Sequence, residues 1–180
     1  MRIKGETPQV RRSLVLHETT QRRLKELKER TELESDSDVV RQALRYYEEL
    51  IFDVQNNKEL LFRDDDENDY VLSATSDEGG ETSENVGPLK KRNLILSEQS
   101  ERRIDALRQA TDASSDSKLV REALRVFDLL VENALAGKRL IVRDLTSHRE
   151  REYLIPGLRP RLPRQVGCQR LFSRLPRFSR

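Results

Sequence analysis

The 180-residue sequence predicts a mainly α-helical fold with short β-strands, built from two copies of one small unit. The chain repeats itself at an offset of about 80 positions, and each copy passes from a period-two to a helical pattern of apolar residues. A chain that is 37% charged and only 35% hydrophobic cannot fill one large core. We therefore expect two small helical units joined by polar segments.

The internal duplication is visible without any gap in the alignment. Residues 12–64 align with residues 92–144, and 21 of 55 positions are identical in the window that begins at Val10. The best-matched block is SDSDVVRQALR against SDSKLVREALR. Unrelated segments do not agree at this level, so the same structural unit is expected twice.

Each copy begins with a predicted strand of about five residues, in which apolar and polar side chains alternate. Its buried face would carry Leu14 and Leu16 in the first copy and Leu94 and Leu96 in the second. The opposite face would carry Ser13 and Val15, or Asn93 and Ile95.

A first helix follows, entered through Thr19 and Thr20 or through residues 97–100. Helical spacing puts Leu24 and Leu27, or Ile104 and Leu107, on its inner face. The arginine pairs 22–23 and 102–103 are predicted to point outward, where they form either a solvated face or a DNA-contacting face.

A second, more apolar helix follows a break at TELES and TDASS. Ser35 with Asp38 at the third helical position is typical of a capping box, and Ser115 is the equivalent cap. Neither break has a Gly; Asp112 tolerates a left-handed backbone conformation more readily than Glu32. The predicted core residues are Val39, Val40, Ala43, Leu44, Tyr47, Leu50, Ile51 and Val54, and Leu119, Val120, Ala123, Leu124, Phe127, Leu130, Val131 and Leu135.

Each copy ends in a predicted β-hairpin, LLFRDDDENDYVL or LIVRDLTSHREREYLI. The acidic run at residues 64–69 is weakly similar to a calcium loop. Asp69 stands where that loop needs Gly and Thr75 where it needs Glu, so a turn is the better interpretation.

The predicted organisation is a first repeat at residues 10–72, a flexible acidic linker at 73–88, a second repeat at 89–156 and a basic disordered tail at 157–180. Nine acidic residues and no basic one lie between positions 64 and 89, and the tail has seven arginines and no acid. The tail is interpreted either as a solvated end or as an arm for DNA phosphates or a protein partner.

A lone strand leaves its backbone groups unpaired, and two helices alone leave an apolar face exposed. Both deficits disappear if the two copies associate, with strand beside antiparallel strand and four helices beneath. The pattern of strand, helix and Ser-capped second helix with VVRQALR or LVREALR resembles the ribbon-helix-helix superfamily, which contains the Arc-, MetJ- and CopG-type DNA-binding proteins. The resemblance covers both repeats and implies an intrachain pseudo-dimer that binds double-stranded DNA and represses transcription.

In that superfamily, alternate outward residues of each strand contact base edges, and the second-helix N-terminus binds a phosphate. The resemblance therefore implies base contacts from Arg11, Ser13, Val15, Lys91, Asn93 and Ile95, and phosphate contacts at Ser35, Asp36, Ser115 and Asp116. Val15 and Ile95 are apolar where the superfamily usually has a polar residue, so they either contact the methyl group of thymine or contribute nothing to base recognition. The carboxylates of Asp36 and Asp116 are expected to oppose a phosphate.

A second hypothesis is a protein-interaction module, antitoxin-like or an accessory of plasmid transfer or partition, that keeps the fold with weak or no DNA readout. Its tail or hairpins would bind the protein partner. A third arrangement pairs separate chains repeat with like repeat, which would give a higher homo-oligomer.

The sequence offers no catalytic grouping, phosphate-binding loop or metal-ligand spacing, so we expect no enzyme activity, cofactor or metal. His17 and His148 are isolated, and His17 is expected to be a surface or capping residue. The single Cys168 fits a reducing cytoplasm, and no apolar run is long enough to span a membrane.

Overall fold

The computed structural model describes residues 9–72 and 88–155. The predicted linker, apart from Pro88, and the predicted tail lie outside these residues. The first repeat contains β1 (Gln9–His17), α1 (Glu18–Thr31), α2 (Asp36–Gln55), β2 (Lys58–Arg63) and β3 (Asp69–Val71). The second contains β4 (Leu89–Ser97), α3 (Glu98–Thr111), α4 (Asp116–Leu135), β5 (Arg139–Asp144) and β6 (Glu150–Tyr153).

The described residues form four helices and two small antiparallel sheets, in agreement with the predicted mainly α-helical fold with short strands. One sheet, the ribbon, pairs β1 with β4. The other, the hairpin sheet, has the strand order β3-β2-β5-β6. The hairpins were predicted, but their union through β2 and β5 was not. Among the described helices, none is long and apolar enough to cross a membrane.

An approximate twofold axis relates the two repeats. At the centre of the ribbon Ser13 faces Asn93, and at the centre of the hairpin sheet Leu61 faces Ile141. Both central pairs join residues that are 80 positions apart, which is the offset of the sequence repeat. One axis therefore passes through the middle of both sheets.

The core lies between the two sheets and is filled mainly by α2 and α4. Leu14, Leu16, Leu94 and Leu96 project from the ribbon into this core. Leu60, Phe62, Leu140 and Val142 enter it from the hairpin sheet. Tyr46 and Phe127 stack within this core with their ring centroids 5.6 Å apart.

Three details of the predicted elements were wrong. The ribbon strands have nine residues each, where about five were predicted. Tyr46 is 3% exposed, whereas the predicted core residue Tyr47 is only partly buried. Val54 and Leu135, at the ends of α2 and α4, are exposed because the core extends only to the hairpin sheet.

Both second helices begin at the predicted serines. The Ser35 hydroxyl accepts a hydrogen bond from the Asp38 N–H at 3.1 Å, and Ser115 accepts one from the Lys118 N–H at 3.2 Å. The Asp38 carboxylate accepts a hydrogen bond from the Ser35 hydroxyl, so it does not complete the reciprocal capping box. In the preceding turns Glu32 (φ 55°) and Asp112 (φ 50°) both adopt the left-handed conformation. His17 occupies the N-cap position of α1 without a side-chain capping bond.

The paired arginines of the first helices do not all point outward. Arg22 and Arg102 do, and each lies near a glutamate of its own helix. Arg23, however, contacts Asp128 of the other repeat at 3.2 Å, and Arg103 forms the equivalent ion pair with Glu48. These inner arginines join the repeats, because each first helix lies against the second helix of the other copy.

Candidate nucleic-acid interface

The outer face of the ribbon carries all six residues that the sequence predicted as base contacts. Arg11 faces Ile95, Ser13 faces Asn93, and Val15 faces Lys91 across the strands. All six side chains are exposed, whereas the alternate residues Leu14, Leu16, Leu94 and Leu96 are buried. The structure thus brings the six predicted residues together in three facing pairs on one surface.

The central pair of this surface is joined by a hydrogen bond. The Ser13 hydroxyl donates to Oδ1 of Asn93 at 2.7 Å. This bond fixes the orientation of the Asn93 amide, whose nitrogen remains a donor for other partners. The middle of the ribbon is therefore an ordered polar group that straddles the twofold axis.

Each end of this surface combines a cation with an exposed aliphatic side chain. Within the described part of the chain, neither Arg11 nor Lys91 forms an ion pair or a side-chain hydrogen bond. Ile95 and Val15, which face them, are 46% and 45% exposed. An uncompensated cation beside an apolar patch is available to an external ligand that carries acceptor atoms and methyl groups.

The N-termini of the second helices are attached to the ribbon. The Val15 N–H donates to the Ser117 hydroxyl at 3.2 Å, and the Ile95 N–H donates to the Ser37 hydroxyl at 3.1 Å. Each bond joins one repeat to the other. The first N–H groups of a helix have no acceptor within the helix. The capping serines bind those of Asp38 and Lys118, which leaves the amides of residues 36–37 and 116–117 for an external acceptor.

The carboxylates beside these amides are partly neutralised by arginines of the strands. Asp116 lies 2.9 Å from Arg12, and Asp36 lies 3.6 Å from Arg92. Asp116 also accepts a hydrogen bond from Arg108 at 3.3 Å. The opposition to a phosphate that the sequence predicts at both positions is therefore reduced, because each negative charge has a cationic partner.

Sequence reasoning missed four residues of this region: Ser37, Ser117, Arg12 and Arg92. Both serines belong to the SDS triplet present in each repeat, and both arginines are identical between the copies. The sequence signal that could have identified them is that each residue is the same in both repeats although it lies outside the predicted core. It could not show that these residues bridge the two repeats.

The hairpin sheet, at the other end of the axis, carries a ring of alternating charges: Arg63, Asp69, Arg143 and Glu150. Arg63 lies 2.6 Å from Asp69 and 2.8 Å from Glu150, and Arg143 lies 2.6 Å from Asp69. Hydrogen bonds from Arg63 and Arg143 lower the pKa of Asp69 to about 2 and also lower the pKa of Glu150. The ring joins β2 and β5 to both edge strands.

The acidic run of the first hairpin forms a turn. Asp64 accepts hydrogen bonds from the N–H groups of Asp66 and Asn68 at 3.0 and 2.9 Å, and the Asn68 bond is the main cause of its lowered pKa. The residues described hold no group of three His, Cys, Asp or Glu side chains suited to a metal ion.

Comparison with family models, with curated proteins and with solved structures finds no match to this chain.

Proposed function

We propose that the chain is a tandem ribbon-helix-helix protein, an intrachain pseudo-dimer that binds a specific sequence of double-stranded DNA and represses transcription. The observation that carries this proposal is the exposed outer face of the antiparallel ribbon, with its three facing pairs of alternate residues. A two-stranded ribbon fits the major groove, which is about 12 Å wide.

The side chains on this face have the donors and apolar groups that base edges require. Arg11 and Lys91 can donate to the O6 and N7 atoms of guanine. The Asn93 amide, oriented by Ser13, can pair with the N6 and N7 atoms of adenine. Val15 and Ile95 can pack against the methyl group of thymine.

Contacts to the DNA backbone would come from the two helix N-termini that flank the ribbon. The amides of α2 follow Ser35, and those of α4 follow Ser115. Free N–H groups and the positive end of the helix dipole favour a phosphate there. The partners Arg92 and Arg12 add positive charge beside Asp36 and Asp116.

Occupying a site is sufficient for repression when a bound protein excludes other proteins from the same DNA. A ribbon that buries itself in the major groove would act in this way. The proposal therefore needs no chemistry beyond binding, and cytoplasmic DNA is the proposed partner.

The test is a selection from a random pool of DNA duplexes at about 150 mM salt, followed by titration of the selected site with the Arg11→Ala/Asn93→Ala variant. Each lost base contact is worth about 1–3 kcal/mol, so the variant should bind the selected site at least tenfold more weakly. Lys25→Ala/Gln109→Ala is the matched control, because it also removes one cation and one amide from exposed positions. Equal affinities of the variant and the parent for the selected site would overturn the proposal.

The second candidate is the protein-interaction module, antitoxin-like or an accessory of plasmid transfer or partition. It is favoured by exposed apolar side chains on and beside the edge strands of the hairpin sheet: Tyr70 is 47%, Val71 53% and Leu154 68% exposed. Under this hypothesis the selection enriches no DNA motif, and Arg11→Ala/Asn93→Ala leaves capture of the protein partner unchanged.

A further inference from the structure

The two halves of the ribbon's outer face are not equal, although a twofold axis relates them. The related positions hold Arg11 and Lys91, Ser13 and Asn93, and Val15 and Ile95. The difference is greatest at the centre. There only one strand carries an amide, and its carbonyl oxygen accepts the hydrogen bond from the serine of the other strand.

The hydrogen bonds to the ribbon show which helix flanks which end. The Ile95 N–H binds Ser37, so the N-terminus of α2 adjoins the end that carries Arg11 and Ile95. The Val15 N–H binds Ser117, so the N-terminus of α4 adjoins the end that carries Lys91 and Val15.

The charges of these two flanks also differ. The first turn of α2 contains Asp38, which is paired with Arg41, and the equivalent position of α4 is Lys118. On the α4 side, Arg12 is 23% exposed and lies near three carboxylates, those of Glu101, Asp105 and Asp116. Its counterpart Arg92 is 47% exposed. The two ends of the ribbon thus differ both in the residues proposed to contact bases and in the charges around the adjoining helix N-terminus.

We infer that the DNA site of this chain is non-palindromic and that the chain binds it in one orientation; this inference rests on the proposed function. A symmetric dimer presents identical groups to both half-sites and so favours a palindrome. Here the same base in both half-sites would meet arginine in one and lysine in the other, and the central step would meet an amide on one strand alone. Each half-site is therefore selected by its own set of residues.

The test uses two variants that make the ribbon symmetric. Lys91→Arg/Asn93→Ser/Ile95→Val gives both strands the residues of the first repeat, and Arg11→Lys/Ser13→Asn/Val15→Ile gives both the residues of the second. All six positions are exposed and lie outside the core. The two variants and the parent chain are each used to select sites from the same random duplex pool.

The parent chain should enrich a non-palindromic motif, and each variant should enrich a palindrome. One half of the parent motif should match the first variant's palindrome, and the other half should match the second's. A palindrome made from either half of the parent motif should bind the parent chain about tenfold more weakly than the parent motif does, which corresponds to about one lost base contact.

A palindromic motif for the parent chain would overturn this inference alone. If none of the three proteins enriches a motif, the proposed function fails and the inference fails with it. Should either variant melt at a lower temperature than the parent chain, the parent's own motif and its two palindromic derivatives decide the question.

Discussion

At the scale of single residues, the twofold axis makes each repeat a control for the other. The Tyr47 hydroxyl donates to Glu122 at 3.3 Å. The residues at the equivalent positions are Phe127 and Gln42, and the buried Oε1 of Gln42 has no hydrogen-bond partner among the described residues. One copy thus makes an interaction between repeats that the other copy lacks.

We expect Phe127→Tyr to stabilise the protein by about 1 kcal/mol, because its hydroxyl would donate to Oε1 of Gln42. The reverse change, Tyr47→Phe, should destabilise by a similar amount, since Glu122 loses its donor. Urea denaturation of both variants measures these differences. A destabilised Phe127→Tyr protein would show that the core has no room for the hydroxyl.

The turns before the second helices give another comparison between copies. Glu32 and Asp112 both have positive φ values, and this conformation costs a non-glycine residue roughly 1–2 kcal/mol. Glu32→Gly should therefore stabilise the protein by about 0.5 kcal/mol after the entropy of glycine is included. Asp112→Gly should stabilise the protein less, because aspartate tolerates the left-handed conformation better than glutamate does. Thermal unfolding of both variants tests the order.

At the scale of elements, the sequence predicted helices and caps well because these depend on local patterns. The alternation around Leu14 and the cap at Ser35 are both readable within a few residues. The ion pair between Arg23 and Asp128 is not readable in this way, because its residues are 105 positions apart. The contacts that close the charged ring between the repeats were missed for the same reason, because Arg63 and Glu150 are 87 positions apart and Asp69 and Arg143 are 74 apart.

The attachment of the helix N-termini to the ribbon should be necessary for DNA recognition. In the Ser37→Ala/Ser117→Ala variant, both hydrogen bonds to the ribbon backbone are lost, at about 1 kcal/mol of stability each. Affinity for the selected DNA site should fall as well, since phosphate and base contacts would no longer be held at one spacing. The neighbouring exposed Ser114→Ala change is the control and should alter neither quantity. Unchanged DNA affinity in the double variant would contradict this prediction. It would show that the phosphate and base contacts do not depend on these two hydrogen bonds.

The charged ring predicts how the hairpin sheet responds to acid. Asp69 has its pKa lowered from 3.8 to about 2, and that of Glu150 is lowered from 4.5. Groups with a lowered pKa contribute stability that is complete above their unfolded values and is lost as the pH falls through the folded values.

The Asp69→Asn/Glu150→Gln variant should thus be less stable than the parent chain at neutral pH, and the two proteins should converge as the pH falls towards 2. Denaturant titrations between pH 7 and pH 2 measure this difference, and added salt should shrink it because the ring is exposed to solvent. A stability difference that does not change with pH would contradict the assignment to ionised carboxylates.

At the scale of the whole molecule, the duplication was readable from sequence, but the choice of partner was not. Strand pairing could in principle join like repeats from separate chains, and the alternation of residues is the same in both arrangements. The structure shows contacts that pairing of the two different repeats allows and pairing of like repeats does not. The buried Asp53 accepts hydrogen bonds from Lys58 of its own repeat and from Arg151 and Tyr153 of the other, at 2.7, 3.0 and 3.1 Å.

These contacts predict which fragments assemble when the chain is divided into residues 1–80 and 81–180. A pair of second repeats in the observed register would place Arg139 opposite Arg143 twice. The intact chain has one arginine pair there, Arg63 opposite Arg139, and one pair of opposite charge, Glu59 opposite Arg143. It would also leave Glu122 facing Phe127, without the Tyr47 hydroxyl. A pair of first repeats would leave Asp53 without Arg151 and Tyr153.

We therefore expect the mixed fragments to form a 1:1 heterodimer in preference to either homodimer. Each fragment alone should be largely unfolded at micromolar concentration, since half of a shared core cannot be buried without its partner. Native mass spectrometry and circular dichroism of the separate and mixed fragments measure both expectations, with the intact chain as the reference. Two stable homodimers that do not exchange on mixing would contradict the prediction and favour pairing of like repeats from separate chains.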